Sequence, residues 1–298
     1  MGTSWIKHLR QEFTPEKISL KARIPQLILQ SQWRLHPVVW LFYRIFMAAY
    51  SLTWCVCGGV QTNNLKWFIF LTHITYIILT IYFNLALVNL ICYMTLGQKK
   101  PTRNIKAVSL EEMSSSSPAV PEIEQRTPSL KFQTEFYAPP SALYPTICIQ
   151  WALHNLTCVI TLCVTITYWI FTYIPGQSRL DSININMHVM NSVLVLLELS
   201  MTAAPIHLAH FVYVMAYCLT YIIFTIVYWA AGGTNLKGEA FIYRILSYGE
   251  NPGLAAGCVI VTICFITPAL QLLVWNLHFL RRHIYLKLNW KDGKVPHC

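Results

Sequence analysis

The chain has 298 residues, of which 55% are hydrophobic and only 11% charged, and its formal net charge is +10. Typical globular domains carry roughly 25% charged residues, so this composition excludes an ordinary water-soluble domain and calls for lipid around the apolar surface. Attraction of basic segments to anionic lipid accounts for the positive charge, and nucleic-acid binding is not required. Polar residues gather at the two ends, in one middle segment and in short connections, which is the pattern of an all-α, polytopic membrane helix bundle.

The opening segment, 1–37, is basic, and no cleavable signal precedes the first apolar run, which reads as a retained signal anchor. Crossing about 30 Å of hydrocarbon takes roughly 20 helical residues. Runs of that length fall near 38–57 and 67–94, giving two transmembrane helices within 38–94. Four more fall near 145–173, 188–205, 209–230 and 254–279, within 144–280. Only Ala203, Ala204, Pro205 and a few neighbours separate the fourth run from the fifth, so a short buried hairpin competes with two full spans there. Between the second and third spans, 95–143 contains Ser114 to Ser117 and Pro118, Pro121, Pro128, Pro139 and Pro140 without apolar periodicity, as expected of a disordered loop that could carry regulation.

Basic residues test this order of spans, because cytoplasmic loops are enriched in Lys and Arg. Lys7, Arg10, Lys17, Lys21, Arg23 and Arg34 precede the first span, and Lys99, Lys100, Arg103, Lys106, Arg126 and Lys131 lie in the middle loop. Arg281, Arg282, Lys287, Lys291 and Lys294 lie in the tail, 281–298. Six spans place all of these on one face, and the opposite face receives only Lys66, Arg179, Lys237 and Arg244. Both termini are therefore expected in the cytoplasm, with anionic lipids as partners of the basic segments. The outer connection at 231–253, with Gly232, Gly253, Asn235, Asn251, Pro252, Phe241, Tyr243 and Tyr248, is expected to fold outside the membrane, where it either meets a protein partner or only caps the bundle.

Polar side chains within spans normally face the bundle interior. In the third span His154, Thr157, Thr161, Thr165, Tyr168 and Thr172 recur at steps of three and four, which sets them on one helix face. The second span has His73, Tyr76, Thr80 and Asn84, with Thr72 near its outer end, and the fourth has His188, Asn191 and Glu198. The expected polar interior is His73, His154, Thr161, Glu198 and His210. Such groups serve either as interhelical bridges or, for the ionisable ones, as a functional site. Arg44, early in the first span, could pair with a carboxylate, but it is expected to snorkel to the cytoplasmic headgroups. The ten cysteines show no CxxC pair and mostly lie within spans, so they read as small packing residues, and neither metal nor cofactor is expected. Asn155-Leu156-Thr157 falls inside a span, which makes its match to a glycosylation triplet accidental.

Depth adds one relation. The second and fourth spans both run from outside to inside, so Thr72, six residues or roughly 9 Å after Lys66, and His188 share a level near the outer surface. If the two helices are neighbours, the hydroxyl and the imidazole could form a nucleophile and base.

The chain resembles the rolling stone family of multipass membrane proteins through His36-Pro37, Trp40, Tyr43-Arg44, Lys66-Trp67 and Leu71-Thr72. The likeness continues through the stretch His188 to Glu198, Pro205 with His210, and Tyr228 followed by Gly232-Gly233-Thr234-Asn235, Gly238 and Ile242-Tyr243. That resemblance implies a role in cell-surface interaction or in cell (myoblast) fusion, at the plasma membrane, with the endoplasmic reticulum as the alternative. A more distant resemblance, carried by Trp67, Leu71-Thr72, the histidine at the helix start, Glu198 and Pro205, is to the androgen-induced family of intramembrane hydrolases. It implies cleavage of fatty-acid esters with Thr72 as nucleophile. The family's catalytic histidine is matched here by Asn191, an amide that cannot act as general base, so hydrolysis would require His188 to reach Thr72. A small-solute or ion pathway along the polar faces is the third reading, and it would need a continuous polar lining.

Overall fold

The computed structural model describes residues 12–33, 35–99, 137–176 and 180–291. Most of the middle loop, from Lys100 to residue 136 and with it Ser114 to Ser117, lies outside the described residues. So do Lys7, Arg10, Arg34, Arg179 and Lys294.

Among the described residues, six helices are long and apolar enough to cross a membrane: Pro37–Thr62, Leu71–Leu96, Ser141–Thr172, Ser182–Met201, Leu208–Ala230 and Pro252–Leu288. Local chemistry sets their ends. The first span starts where His36 Nδ1 accepts the Val38 N–H and Pro37 occupies the first turn, and it stops at Asn63, which takes a left-handed φ of 42°. The fourth is capped by Asp181, whose carboxylate accepts the Asn184 N–H at 2.8 Å. The sixth does not stop near 280, because its helix continues to Lys291. Three spans contain π-helical turns, at Tyr168–Thr172, Asn186–Met190 and Thr262–Ile266.

The third span is the axis of the bundle: 67% of its most apolar stretch is buried, against 17% for the fifth. The second and fourth spans pack on it, the first packs on the second, and the fifth and sixth close the far side. Leu79, Phe83, Val159, Leu194, Val274 and Trp275 form part of the common core. Phe42, Phe46, Val60, Ile223, Val227 and Phe265 point outward and are exposed, an arrangement that lipid satisfies and water would not.

A buried ion pair ties the bundle together. Arg44, 1% exposed, donates to Glu198 at 2.8 Å, and Tyr82 and Tyr43 donate to the same carboxylate at 2.6 and 2.9 Å. The guanidinium also lies 4.4 Å from the centre of the Trp40 ring. Of the two fates open to Arg44, pairing wins over snorkelling, since a charge this deep is tolerable only when paired and hydrogen-bonded.

The strap formed by residues 12–33 and the last described turns of the sixth span lie at one end of the bundle. Residues 12–33 are not a free basic segment; they run as a strap across this end, and Ile28 and Leu29 pack with Ile147, Trp151 and Ala204. Backbone bonds join the strap to the linker between the fourth and fifth spans: Gln32 N–H to Met201 O at 2.8 Å and Ala203 N–H to Gln30 O at 2.9 Å. That linker is extended and largely buried from Thr202 to His207, so the two spans are separate helices joined through protein rather than through lipid. Arg281 clamps it from the sixth span by donating to Leu199 O at 2.6 Å and Ala204 O at 3.0 Å, and so acts as a buried cap rather than as part of a basic tail. The middle loop closes on itself where Gln98–Lys99 pairs antiparallel with Tyr137–Ala138.

Glu12 fastens the start of the strap. Its carboxylate accepts the Leu208 N–H at 2.8 Å and lies 3.4 Å from His207 Nδ1 and 3.8 Å from Lys17 Nζ. Burial raises the Glu12 carboxyl, but the nearby His207 ring, the Leu208 N–H and Lys17 together hold it below its ordinary value of 4.5. A carboxyl depressed by folding contributes stability that is complete above its ordinary value and is lost as pH falls through the folded one. Hydrogen exchange across residues 15–29, corrected for intrinsic rates, should therefore be slow at neutral pH and accelerate below the ordinary carboxylate range. In Glu12→Gln the faster exchange should already be present at neutral pH.

Candidate functional site

The end of the bundle opposite the termini is built from the tops of the second, third, fifth and sixth spans and the connection at 231–251. Between them lies a half-open cavity of about 100 Å³, lined by residues that include Thr72, Tyr168, Cys218, Tyr221, Tyr243 and Cys258. Two of the π-turns supply its walls, through Tyr168, Phe171 and Thr172 on one side and Thr262 and Ile263 on the other. A π-turn widens a helix locally and often marks a functional site.

Thr72 is the second residue of its helix and is buried. Its side chain meets the Tyr243 phenol, which also reaches Tyr221. Tyr221 in turn donates to Ile69 O at 2.9 Å and accepts the Leu71 N–H at 3.0 Å, so it pins the start of the second span. Burial lifts the Tyr243 phenol above its usual value against the opposing pull of Thr72 and Tyr221, and it remains a neutral donor at physiological pH.

The histidines stand elsewhere. His188 lies outside the cavity lining, with its ring stacked on Tyr168 at 3.4 Å between centroids and 10° between planes. Its Nδ1 has no hydrogen-bond partner among the described residues. His73 stacks on Trp67 and has its Nδ1 2.7 Å from Trp67 O. The Asn191 amide oxygen is occupied: it accepts from Thr165 at 3.0 Å and from the Ser192 N–H at 2.6 Å, and Thr165 also meets the Ser192 hydroxyl at 2.7 Å. Tyr168 lines the cavity together with Thr72 and carries the His188 ring stacked on its own, but among the described residues no imidazole lines the cavity with Thr72.

Deeper in the bundle, His154 is buried beside Tyr82 and Cys158, and His210 packs against Trp151 at 4.8 Å between ring centres. The Thr157 and Thr161 hydroxyls donate to the carbonyls four residues earlier, at 2.8 Å each, as does Thr80 at 2.9 Å. These hydroxyls serve the local backbone. Asn155, 2% exposed, donates to Trp151 O and is no surface site. Among the described residues no group of three His, Cys, Asp or Glu is placed to hold a metal ion.

Sequence reasoning missed Tyr243 and Tyr221 as the partners of the Thr72 region, although Ile242-Tyr243 carried part of the family resemblance. It also missed the tyrosines around Glu198; the pairing of Tyr43 with Arg44 in the same motif was the available signal.

Six apolar helices around a polar interior, with an aromatic cavity at one end, define a polytopic helical membrane protein. The family model described as protein rolling stone matches residues 138–292, and the chain belongs to that family. Protein rolling stone of Drosophila melanogaster is 26% identical over 265 residues, which cover 86% of this chain and 83% of that protein. No solved structure matches the chain.

The Asn191 contacts give a stability expectation. Asn191→Ala removes the side-chain acceptor of the buried Ser192 N–H and one of the two partners of the Thr165 hydroxyl and should cost about 1–3 kcal/mol. Thermal unfolding of the purified protein in detergent measures the loss.

Proposed function

We propose that this rolling stone family member is a cell-surface interaction protein that takes part in joining apposed plasma membranes, as in myoblast fusion, and that the connection at 231–253 is its outward recognition surface. The observation that carries the reading is that this connection is folded and anchored. Lys66, at the head of the second span, donates to Thr234 Oγ1 at 2.6 Å and to Asn235 O at 2.9 Å, and Tyr228 donates to Thr234 O at 2.9 Å. Asn235 organises the turn that follows by accepting the Lys237 and Glu239 N–H groups and donating to the Glu239 carboxylate at 2.7 Å. Gly238 closes that turn with φ of 82°, a conformation costly for any residue with a side chain. Leu236, Lys237, Glu239 and Arg244 are left exposed on this fixed frame. A surface ordered before contact loses less entropy on binding. At the other face, exposed Lys21, Arg282 and Lys287 fit anionic headgroups of the cytoplasmic leaflet.

One observation favours a second reading, lipid-ester hydrolysis: the Thr72 hydroxyl opens on an apolar cavity. In that reading His188 swings off Tyr168 to serve as the base. The two readings divide on simple variants in a cell–cell fusion assay with surface expression quantified. The interaction reading expects Gly238→Val and Lys66→Met to lower fusion at equal surface level while Thr72→Ala fuses normally. Loss of fusion in Thr72→Ala, with the loop variants unaffected, would overturn it in favour of the hydrolase.

A further inference from the structure

We propose that residues 13–24 of the strap form a lipid-binding surface, in which Phe13, Ile18 and Ile24 enter the cytoplasmic leaflet and Lys21 and Arg23 hold the headgroup of an anionic phospholipid. The proposal deepens the fit of the basic face to anionic headgroups and involves no part of the outer connection, so each can fail without the other.

Hydrogen bonds fix the level of the strap. Tyr213, in the first turn of the helix Phe211–Ala230, donates its hydroxyl to Ile18 O at 2.7 Å. Tyr144, the first residue of the helix Tyr144–Thr167, donates to Ala22 O at 3.2 Å, and Trp40, the fourth residue of the first span, donates its indole N–H to Leu29 O at 2.8 Å. The first, third and fifth spans all begin at this end, so the strap crosses it within about one turn, roughly 5 Å, of three helix starts. That is the level at which a span leaves the headgroups and enters hydrocarbon. The flank beside Ile18 also faces lipid: Val212 and Tyr213 are exposed on the fifth span, and only 17% of the most apolar stretch of that span is buried.

The strap has two faces. Glu12, Ala22, Ile28 and Leu29 are buried against the bundle, whereas Phe13 is 68% exposed, Ile18 40% and Ile24 53%. Three large apolar side chains on the outside of so short a segment are unfavourable in water and favourable at the boundary between headgroups and acyl chains. Lys21 and Arg23 are exposed in the same stretch, and 13–24 holds three basic residues, with Lys17, against one acid, Glu16. Lys17 lies 3.8 Å from Glu12, and the long stems of Lys21 and Arg23 let their charges stay among phosphates while the apolar neighbours sink deeper. A zwitterionic headgroup lacks the net negative charge that attracts such a cluster, so the ligand is an anionic phospholipid. The excess of Lys and Arg at this end of the chain matches the leaflet in which those lipids concentrate.

The test uses the full chain in phosphatidylcholine nanodiscs that contain a trace of photoreactive phosphatidylserine or photoreactive phosphatidylcholine, each with the reactive group near the top of an acyl chain. Both probes should label peptides from 13–24. The phosphatidylserine probe should lead by about 5- to 30-fold, the equivalent of one or two basic contacts, and 1 M salt should remove that lead. Lys21→Gln combined with Arg23→Gln should abolish the lead and keep the phosphatidylcholine labelling. Phe13→Ser combined with Ile18→Ser should lose labelling by both probes, while peptides of the fifth span stay labelled and show the protein still embedded. Strap peptides that neither probe labels, or a phosphatidylserine lead that survives the loss of Lys21 and Arg23, would overturn the proposal. So would competition by soluble glycerophosphoserine equal to that by the intact lipid.

Discussion

The bundle is organised around a single buried carboxylate. Glu198 sits where the fourth span meets the first and second, and it collects Arg44, Tyr43 and Tyr82 from those two helices. Each of these groups would be expensive to leave alone in the membrane interior, and each reaches Glu198 only when the helices stand in this register. The hydrophobic effect supplies little preference between neighbours here, because lipid is as apolar as leucine. Directional bonds of this kind therefore decide which helix packs where. His154 and Cys158 of the third span lie beside the cluster and extend its environment to a fourth helix.

The two ends of the bundle solve different problems. At the end that carries the termini, the carbonyls of the fourth helix and the extended linker from Thr202 to His207 need partners, and water is excluded from much of this region. The strap of residues 12–33 and Arg281 supply them, with backbone bonds from Gln32 and Ala203 on one side and a guanidinium on the other. The opposite end is looser. A cavity remains between two π-turns there, beneath an outer connection that Lys66 and Tyr228 hold in place. One end is thus closed by the strap of residues 12–33, and the other holds a half-open cavity.

Much of this was legible in the sequence. Six spans follow from apolar run length, and the inward faces of the second, third and fourth helices follow from the spacing of their polar residues. The strap was not legible, because Ile28, Leu29 and Ala22 form too short an apolar set to announce burial, and their partners Ile147 and Trp151 lie more than a hundred residues away. Depth reasoning, applied to Thr72 and His188, could have been applied with equal force to Arg44 and Glu198. Arg44 lies seven residues into a span that starts at the termini end, and Glu198 lies three residues before the end of a span that finishes there, roughly 10 and 5 Å of rise respectively. The role of Tyr243 was hidden for another reason: it belongs to an irregular connection, where no periodicity reports which way a side chain points.

The central claim is that the Arg44–Glu198 pair couples the first and fourth helices, and a double-mutant cycle tests it most directly. Arg44→Met, Glu198→Leu and the double variant would be compared by thermal unfolding of purified protein in one detergent. Each single change strands a buried charge and should cost about 3–5 kcal/mol, while the double change should recover most of that loss. Losses that simply add in the double variant would show that the two residues act independently and would contradict the account.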